Sequence, residues 1–277
     1  MALVIPTNTA SLDAQKSLMK NSNALGKSFA RLSSGFRINT AADDAAGLAI
    51  SESMKAQIRS YTIAERNAND AISMTTTAEA ALGSMHDILG RMRELAVESA
   101  NGSMTGTDRG YLDTEFDSLK SEMSRIQGSS KFNGKQLVST VGENITFQVG
   151  LNNTASDQIT LTFGGLALTQ LLAATTNVAG ATAGSALTSI GRIDSAIGII
   201  STERAKYGAA MNRLDATVSS IQTMRVNLSS ANSRIRDVDV AEETSALSRN
   251  QVLAQAGVSV LAQANQLPQM AMQLLQH

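Results

Sequence analysis

The 277 residues contain no cysteine, which excludes disulfides, thiolate metal sites and thiol catalysis without fixing the compartment. Tryptophan is missing too, and aromatics reach only 3%. Apolar burial must therefore come from Leu, Ile, Val, Met and Ala, which suit helix-on-helix packing better than a wide pocket lined with rings. Pro6 and Pro268 are the only prolines, so nothing in the long span between them interrupts a helix by removing an N–H. An excess of one charge is lacking as well. The 23 basic and 24 acidic residues leave a formal net charge of −1 with no basic block, which argues against a nucleic-acid partner or an anionic membrane. No apolar run approaches the roughly 18 residues of a membrane helix. The stretch from Met1 to Pro6 lacks the charged start and cleavage site of a secretory signal. A protein with these ends is expected to leave the cell, if it does so, by a route that keeps its N-terminus.

What is present is helical periodicity over a length that allows one large domain or two small ones. From Thr9 to about Leu32 the sequence predicts a helix, with Leu18, Leu25 and Leu32 at heptad spacing and Phe29 and Phe36 repeating that interval. Ser33-Ser34-Gly35 breaks the pattern. Asp43 and Asp44 suit a second helix start through capping and the macrodipole. That helix runs through Ile50, Met54, Ile58, Tyr61, Ala64, Ala68 and Ile72, and on past Leu82, Met85, Leu89, Met92 and Leu95 to about Ala100. Such length implies a coiled-coil-like rod. After the loop at Asn101-Gly102, Asp108 is expected to cap a shorter helix through Tyr111, Phe116 and Met123, ending at the turn Asn133-Gly134. Alternation of Ile145, Phe147 and Val149, then of Ile159, Leu161 and Phe163, predicts a β-hairpin over about 144–163. Residues 164–189, rich in Gly, Ala and Thr, read as a short surface loop. From Ile190 to Ile235 one three-and-four ladder follows, interrupted only by Arg204, Arg225 and Asn232, polar seam residues of the kind that fix register. Beyond Asp237 the last helix carries two seams. One holds Val258 and Leu261, the other Leu267 and Leu274. The expected fold class is mainly α, a long antiparallel helical rod with a small β-hairpin.

Nothing here has the makings of an active site, and no cofactor is expected. His86 and His277 are isolated, and no phosphate loop, nucleophile elbow or H-E-x-x-H occurs. Asp43-Asp44 is better read as a cap than as a catalytic pair. Asp237, Asp239, Glu242 and Glu243 lack the Gly and spacing of a calcium loop. The methionines on apolar seams are core filler by default. The two ends are more informative: each is a long helix with more apolar surface than one hairpin can bury, and exposed patches of that kind mark an interface.

The residues Arg31-Leu32-Ser33-Ser34-Gly35-Phe36-Arg37-Ile38-Asn39 and Asp43-Asp44-Ala45-Ala46-Gly47-Leu48-Ala49-Ile50-Ser51 closely resemble the N-terminal signature of bacterial flagellins. Ser233-Arg234-Ile235-Arg236-Asp237-Val238-Asp239 and the run from Gln255 to Gln269 are similar to the family's C-terminal signature, and Arg66 to Ser73 and Phe132-Asn133-Gly134 agree. Only about Val138 to Ser189 lies outside the likeness. The resemblance implies a structural subunit of the extracellular flagellar filament used for swimming, not an enzyme. It implies an inner terminal-helix domain of residues 1–42 and 236–277, with Leu18, Leu25, Leu32, Val258, Leu261, Leu267 and Leu274 on the polymerising helices, and a rod domain of residues 43–235. Export through the flagellar type III apparatus is implied, as are further copies of the chain, an export chaperone, the filament cap and hook-associated junction proteins as partners, with no membrane or nucleic acid. A host flagellin-sensing Toll-like receptor is implied as a partner of freed subunits through Arg91, Leu95 and Glu122, although helix packing accounts for those residues as well. A hook–filament junction protein would share the terminal helices, but the full N-terminal pattern favours the filament. A coiled-coil effector would carry a longer variable domain.

Overall fold

The computed structural model describes residues 8–173, 175–180 and 182–275, with side chains to Gln266 apart from Gln170. Its elements are α1 (Thr9–Ser34), α2 (Ala45–Ser99), α3 (Gly106–Ser129), β1 (Lys131–Phe132), β2 (Lys135–Gln136), β3 (Glu143–Gln148), β4 (Gln158–Phe163), α4 (Thr169–Leu172), α5 (Gly184–Arg236) and α6 (Val240–Leu275). The chain divides into two compact units, Met1–Ala56 with Asn227–His277, and Gln57–Val226. Among the described residues no helix is long and apolar enough to cross a membrane.

The Gln57–Val226 unit is a closed helical rod. Helices α2 and α5 run antiparallel, as three ion pairs show: Glu65–Arg225 (2.5 Å), Glu79–Arg204 (2.7 Å) and Arg93–Asp194 (2.7 Å). Arg204 and Arg225 are two of the residues that interrupt the apolar ladder, and each finds an α2 glutamate. The core changes in grain along α2. Ala64, Ala68, Ala71 and Ala78 are buried in its first part and Leu82, Met85, Leu89, Met92 and Leu95 in its second. The β3–β4 hairpin reaches the first part, where Asn67 Nδ2 donates to the Gln148 carbonyl at 3.0 Å. Helix α3 accompanies the second, where Arg91 pairs with Glu115 at 2.8 Å, and contributes Phe116 and Met123 to the core. Small side chains thus lie where the hairpin closes down on the helix, and large ones fill the space among three helices.

The hairpin pairs Glu143 with Phe163 through to Gln148 with Gln158. Ile159, Leu161 and Phe163 point inward, and Thr146 and Thr160 join their hydroxyls across the strands at 3.0 Å. Phe163 meets the Tyr207 ring at 5.5 Å between centroids. Burial pushes the Tyr207 hydroxyl up to about 12, against a smaller opposing pull from the Gly164 backbone N–H. Gly150 has no substitute in its turn, because a Cβ there would lie 1.9 Å from the Asp157 carboxylate.

Three features differ from the sequence reading. The cap of α3 is Thr105, with Asp108 as its reciprocal partner in a capping box. A second strand pair, β1–β2, closes over Asn133 and Gly134, both at positive φ, the left-handed turn that Asn-Gly favours. Residues 164–189 are not a surface loop. Leu166, Leu168, Leu171 and Val178 are buried, and the segment is tied down from several sides. The Ser99 hydroxyl donates to the Val178 carbonyl (2.6 Å), Asp113 accepts the Val178 N–H (2.8 Å) and Lys120 donates to the Thr176 carbonyl (3.1 Å). The buried Arg109 guanidinium bonds the carbonyls of Ser99 (2.8 Å) and Asn101 (3.1 Å) beside it.

Leu89→Ala should cost about 3 kcal/mol, the usual loss for a wholly buried leucine. Val97→Ala, on the exposed side of the same helix, should stay within about 0.5 kcal/mol. Urea unfolding followed by helical circular dichroism checks both. Equal effects would contradict the burial described.

Candidate functional site

The unit formed by the two ends of the chain is built differently. Helices α1 and α6 lie antiparallel and meet through polar and small residues. Asn8 Nδ2 donates to the Ala264 carbonyl (2.8 Å), Ser11 Oγ to Asn265 Oδ1 (2.8 Å) and Asn21 Nδ2 to the Asn250 carbonyl (2.9 Å), while Arg31 pairs with Glu243 at 3.5 Å. Asn8 also caps α1 by accepting the Ser11 N–H. Ser11, Ser28 and Ala264 are the residues buried along this line. Gly257 admits Leu18, since a Cβ there would stand 3.3 Å from the leucine Cδ1.

Most of the other large apolar residues are turned away from this line. Leu12, Met19 and Phe29 on α1 and Val240, Val252, Leu253, Val258 and Val260 on α6 are all exposed, Leu12 and Val258 at 56%. Leu18, Leu25, Leu32 and Leu261 are half-buried. Leu267 and Leu274 belong to α6, but their side chains lie outside the described residues. Between the helices a groove of about 370 Å³ opens beside Leu18, Ala24, Leu253 and Gly257. The pair is held together along its middle and left apolar on its flanks.

The junctions of these helices with their neighbours are locked by backbone and charge. Gly35, at φ +75°, ends α1 and donates to the Arg31 carbonyl at 2.8 Å. Phe36 and Asp237 then form an antiparallel bridge, with Arg37 N–H to the Arg236 carbonyl at 2.6 Å and Val238 N–H to the Gly35 carbonyl at 3.0 Å. The Arg236 guanidinium stands 4.6 Å over the Phe36 ring and pairs with Glu52 at 2.5 Å. Asp44 accepts the Gly47 N–H at 2.8 Å, which makes it the cap of α2. Asp43 instead holds the preceding turn through the N–H and hydroxyl of Thr40, each at 3.1 Å. Sequence reasoning found the apolar seams but not this polar spine or the Arg236 clamp. The only advance trace of the spine was Asn and Ser at spacings that alternate with the leucines.

In the other unit the three residues that the resemblance assigns to a receptor-facing surface are not all at the surface. Arg91 is exposed and bonds Glu115 and Glu94. Glu122 binds Arg125 on its own helix, and that hydrogen bond holds its carboxyl below the ordinary carboxylate range. Leu95 is 0% exposed and belongs to the core. No group of three or more His, Cys, Asp or Glu able to hold a metal occurs among the described residues.

Residues 5–142 match the family model of the bacterial flagellin N-terminal helical region, and residues 190–275 that of the bacterial flagellin C-terminal helical region. The chain is 41% identical to the flagellin of Halalkalibacterium halodurans over 273 residues, covering 99% of this chain and 100% of that protein. It is 38% identical to the flagellin of Bacillus subtilis, covering 97% of this chain and 98% of the relative. The flagellar filament 33 kDa core protein of Treponema phagedenis is likewise 38% identical, over 99% of this chain and 100% of that one.

Thr40, its backbone N–H foremost and its hydroxyl next, holds the Asp43 carboxyl below the usual aspartate value of 3.8. A depressed acid stabilises the turn above its unfolded value and loses that contribution as pH falls through the lower folded one. NMR titration of the Asp43 carboxyl should therefore give a value below 3.8. Thr40→Val should move it upward, and an unshifted wild-type carboxyl would contradict the geometry.

Proposed function

The chain belongs to the bacterial flagellin family, whose members are structural subunits of the extracellular flagellar filament and not enzymes, and on that premise we propose how it assembles. The protein leaves the cell through the flagellar type III apparatus and polymerises through its paired terminal helices, giving the filament used for swimming. Residues 1–42 and 236–277 are its inner, polymerising domain and residues 43–235 its rod domain. Leu18, Leu25, Leu32, Val258, Leu261, Leu267 and Leu274 belong to the polymerising helices.

One observation carries this reading: both helices of the terminal pair keep large apolar side chains exposed while they bond each other through Ser, Asn and backbone carbonyls. A helix pair of that composition buries too little apolar surface to be self-sufficient. The same flanks on neighbouring copies are chemically matched to cover it, and no other surface of the chain is required. An export chaperone would shield these flanks before assembly, and the filament cap and hook-associated junction proteins would meet them at the two ends of the polymer.

A host flagellin-sensing Toll-like receptor would meet freed subunits through the exposed Arg91 and the half-buried Glu122, with Leu95 acting beneath them as core. In reporter cells, Arg91→Ala should weaken the response to purified monomer without loss of thermal stability. Leu95→Ala should weaken it only as far as it unfolds the rod, and no response to wild-type monomer would end the receptor proposal.

Electron microscopy of purified protein after seeding or salt addition should show tubes, straight or supercoiled. A chain lacking residues 240–277 should remain a soluble, helical monomer under the same conditions. Filaments from that truncation would refute the role given to the terminal helices.

A further inference from the structure

Helix α2 buries one stripe in the rod core and leaves the opposite face bare between Arg59 and Glu94. The centre of that face is a single line at heptad spacing: Arg59, Arg66, Ser73, Ala80, Asp87 and Glu94, all exposed. Both cations stand at one end, both anions at the other, and two small residues lie between them. The rod makes little use of these charges. The side chains of Arg59, Arg66 and Asp87 have no hydrogen bond or ion pair among the described residues, and Glu94, its side chain 69% exposed, meets Arg91 of its own helix. In the middle the Ser73 hydroxyl donates to the Asn69 carbonyl at 2.9 Å, so nothing there demands water.

We propose that this face of α2 docks a second, antiparallel copy of the chain. Turning the line end for end exchanges its cations for its anions. Arg59 of one copy then meets Glu94 of the other, Arg66 meets Asp87 and Ser73 meets Ala80, each of them twice about a two-fold axis. On the flanks Arg91 comes beside Ile63 and Asp70 beside Ser84, so no like charges meet. A slip of one helical turn in one direction sets Arg66 against Arg91 and Asp70 against Asp87, and a slip in the other sets Arg59 against Arg91. Such like-charge meetings are unfavourable, so the pattern selects one register as well as one partner. A parallel copy in register would set Arg59 on Arg59. A parallel copy staggered by four heptads would pair each charge only once and leave half of the face bare.

The line spans about 50 Å along a helix about 10 Å across, so the contact hides roughly 1,000 Å² in total, the lower limit for a specific interface. Its ion pairs stay close to water and are screened by salt. The dimer is therefore weak and favoured at low ionic strength. A two-fold contact closes on itself, so it belongs to the unassembled chain and is separate from the polymer contact of the terminal helices.

The experiment takes full-length chain, unseeded and in low salt, through sedimentation equilibrium up to about 200 μM. Monomer and dimer should exchange, and about 0.5 M salt should weaken the dimer at least about tenfold. Arg59→Glu with Arg66→Glu should weaken it to a similar degree, as should Asp87→Arg with Glu94→Arg, both with unchanged helical circular dichroism. Mixed in equal amounts, these two variants present opposite charges at all four meetings and should associate at least as tightly as wild type. The natural chain has no cysteine, so Ser73→Cys and Ala80→Cys read the register. Oxidised together, they should give the mixed disulfide dimer at least about tenfold in excess of either self-linked one. Wild type that stays monomeric at the highest concentration in low salt overturns the proposal. So does a mixture of the two charge variants that fails to associate, or a Ser73→Cys chain that links to itself as readily as to Ala80→Cys.

Discussion

The arrangement turns on how α1 and α6 touch. They approach through Ser11, Ser28, Gly257 and Ala264, and they are joined by side chains of Asn8, Ser11 and Asn21. Small residues let two backbones come close, and hydrogen bonds to carbonyls set the register of one helix along the other. The cost is that Leu12, Met19, Val258 and Val260 are turned outward, where a hydrocarbon surface meets water. Burying one such side chain is worth about 1.5–3 kcal/mol, so a row of them is a driving force waiting for a partner. A pair that buried all its large apolar side chains between its two helices would have no comparable reason to polymerise.

The rod unit makes the opposite choice. There Ala, Leu and Met from α2 meet Ile, Tyr and Leu from α5, and α3, the hairpin and the segment after it close the core. Exposed ion pairs such as Arg93–Asp194 contribute little to stability. Their value lies in register: Glu65, Glu79 and Arg93 each face an opposite charge at one alignment of α2 against α5. A slip by one helical turn would separate all three pairs while leaving much of the apolar contact intact. The polar breaks at Arg204 and Arg225 are thus part of what specifies the rod.

Much of this was legible in the sequence because helical periodicity survives over long windows. The ladder from Ile190 to Ile235 lies on one helix, α2 ends within a residue of the expected place, and the alternation of Ile159, Leu161 and Phe163 marks a real strand. Residues 164–189 were misread for a physical reason. Leu166, Leu168, Leu171 and Val178 follow no helical or strand period, and the end of their segment is held by Arg109 at the Gly180 carbonyl, Lys120 at the Thr176 carbonyl and Asp113 at the Val178 N–H, all distant in sequence. Composition alone makes such a segment look like solvent-exposed chain. Leu95 stands on the apolar seam of α2 by its spacing and on a receptor-facing surface only by resemblance, and its burial puts it in the core. The polar spine between α1 and α6 was hidden because Asn and Ser read as ordinary exposed positions until the partner helix is known.

The central claim is that assembly buries the flanks of the terminal helix pair. Amide hydrogen exchange, read by mass spectrometry on monomer and on sedimented polymer, addresses it directly. The account predicts a large gain of protection on polymerisation across Thr9–Ser34 and Val240–Leu275, with the core of Gln57–Val226 already protected in the monomer. Polymer in which those terminal helices exchange as fast as they do in the monomer would contradict it.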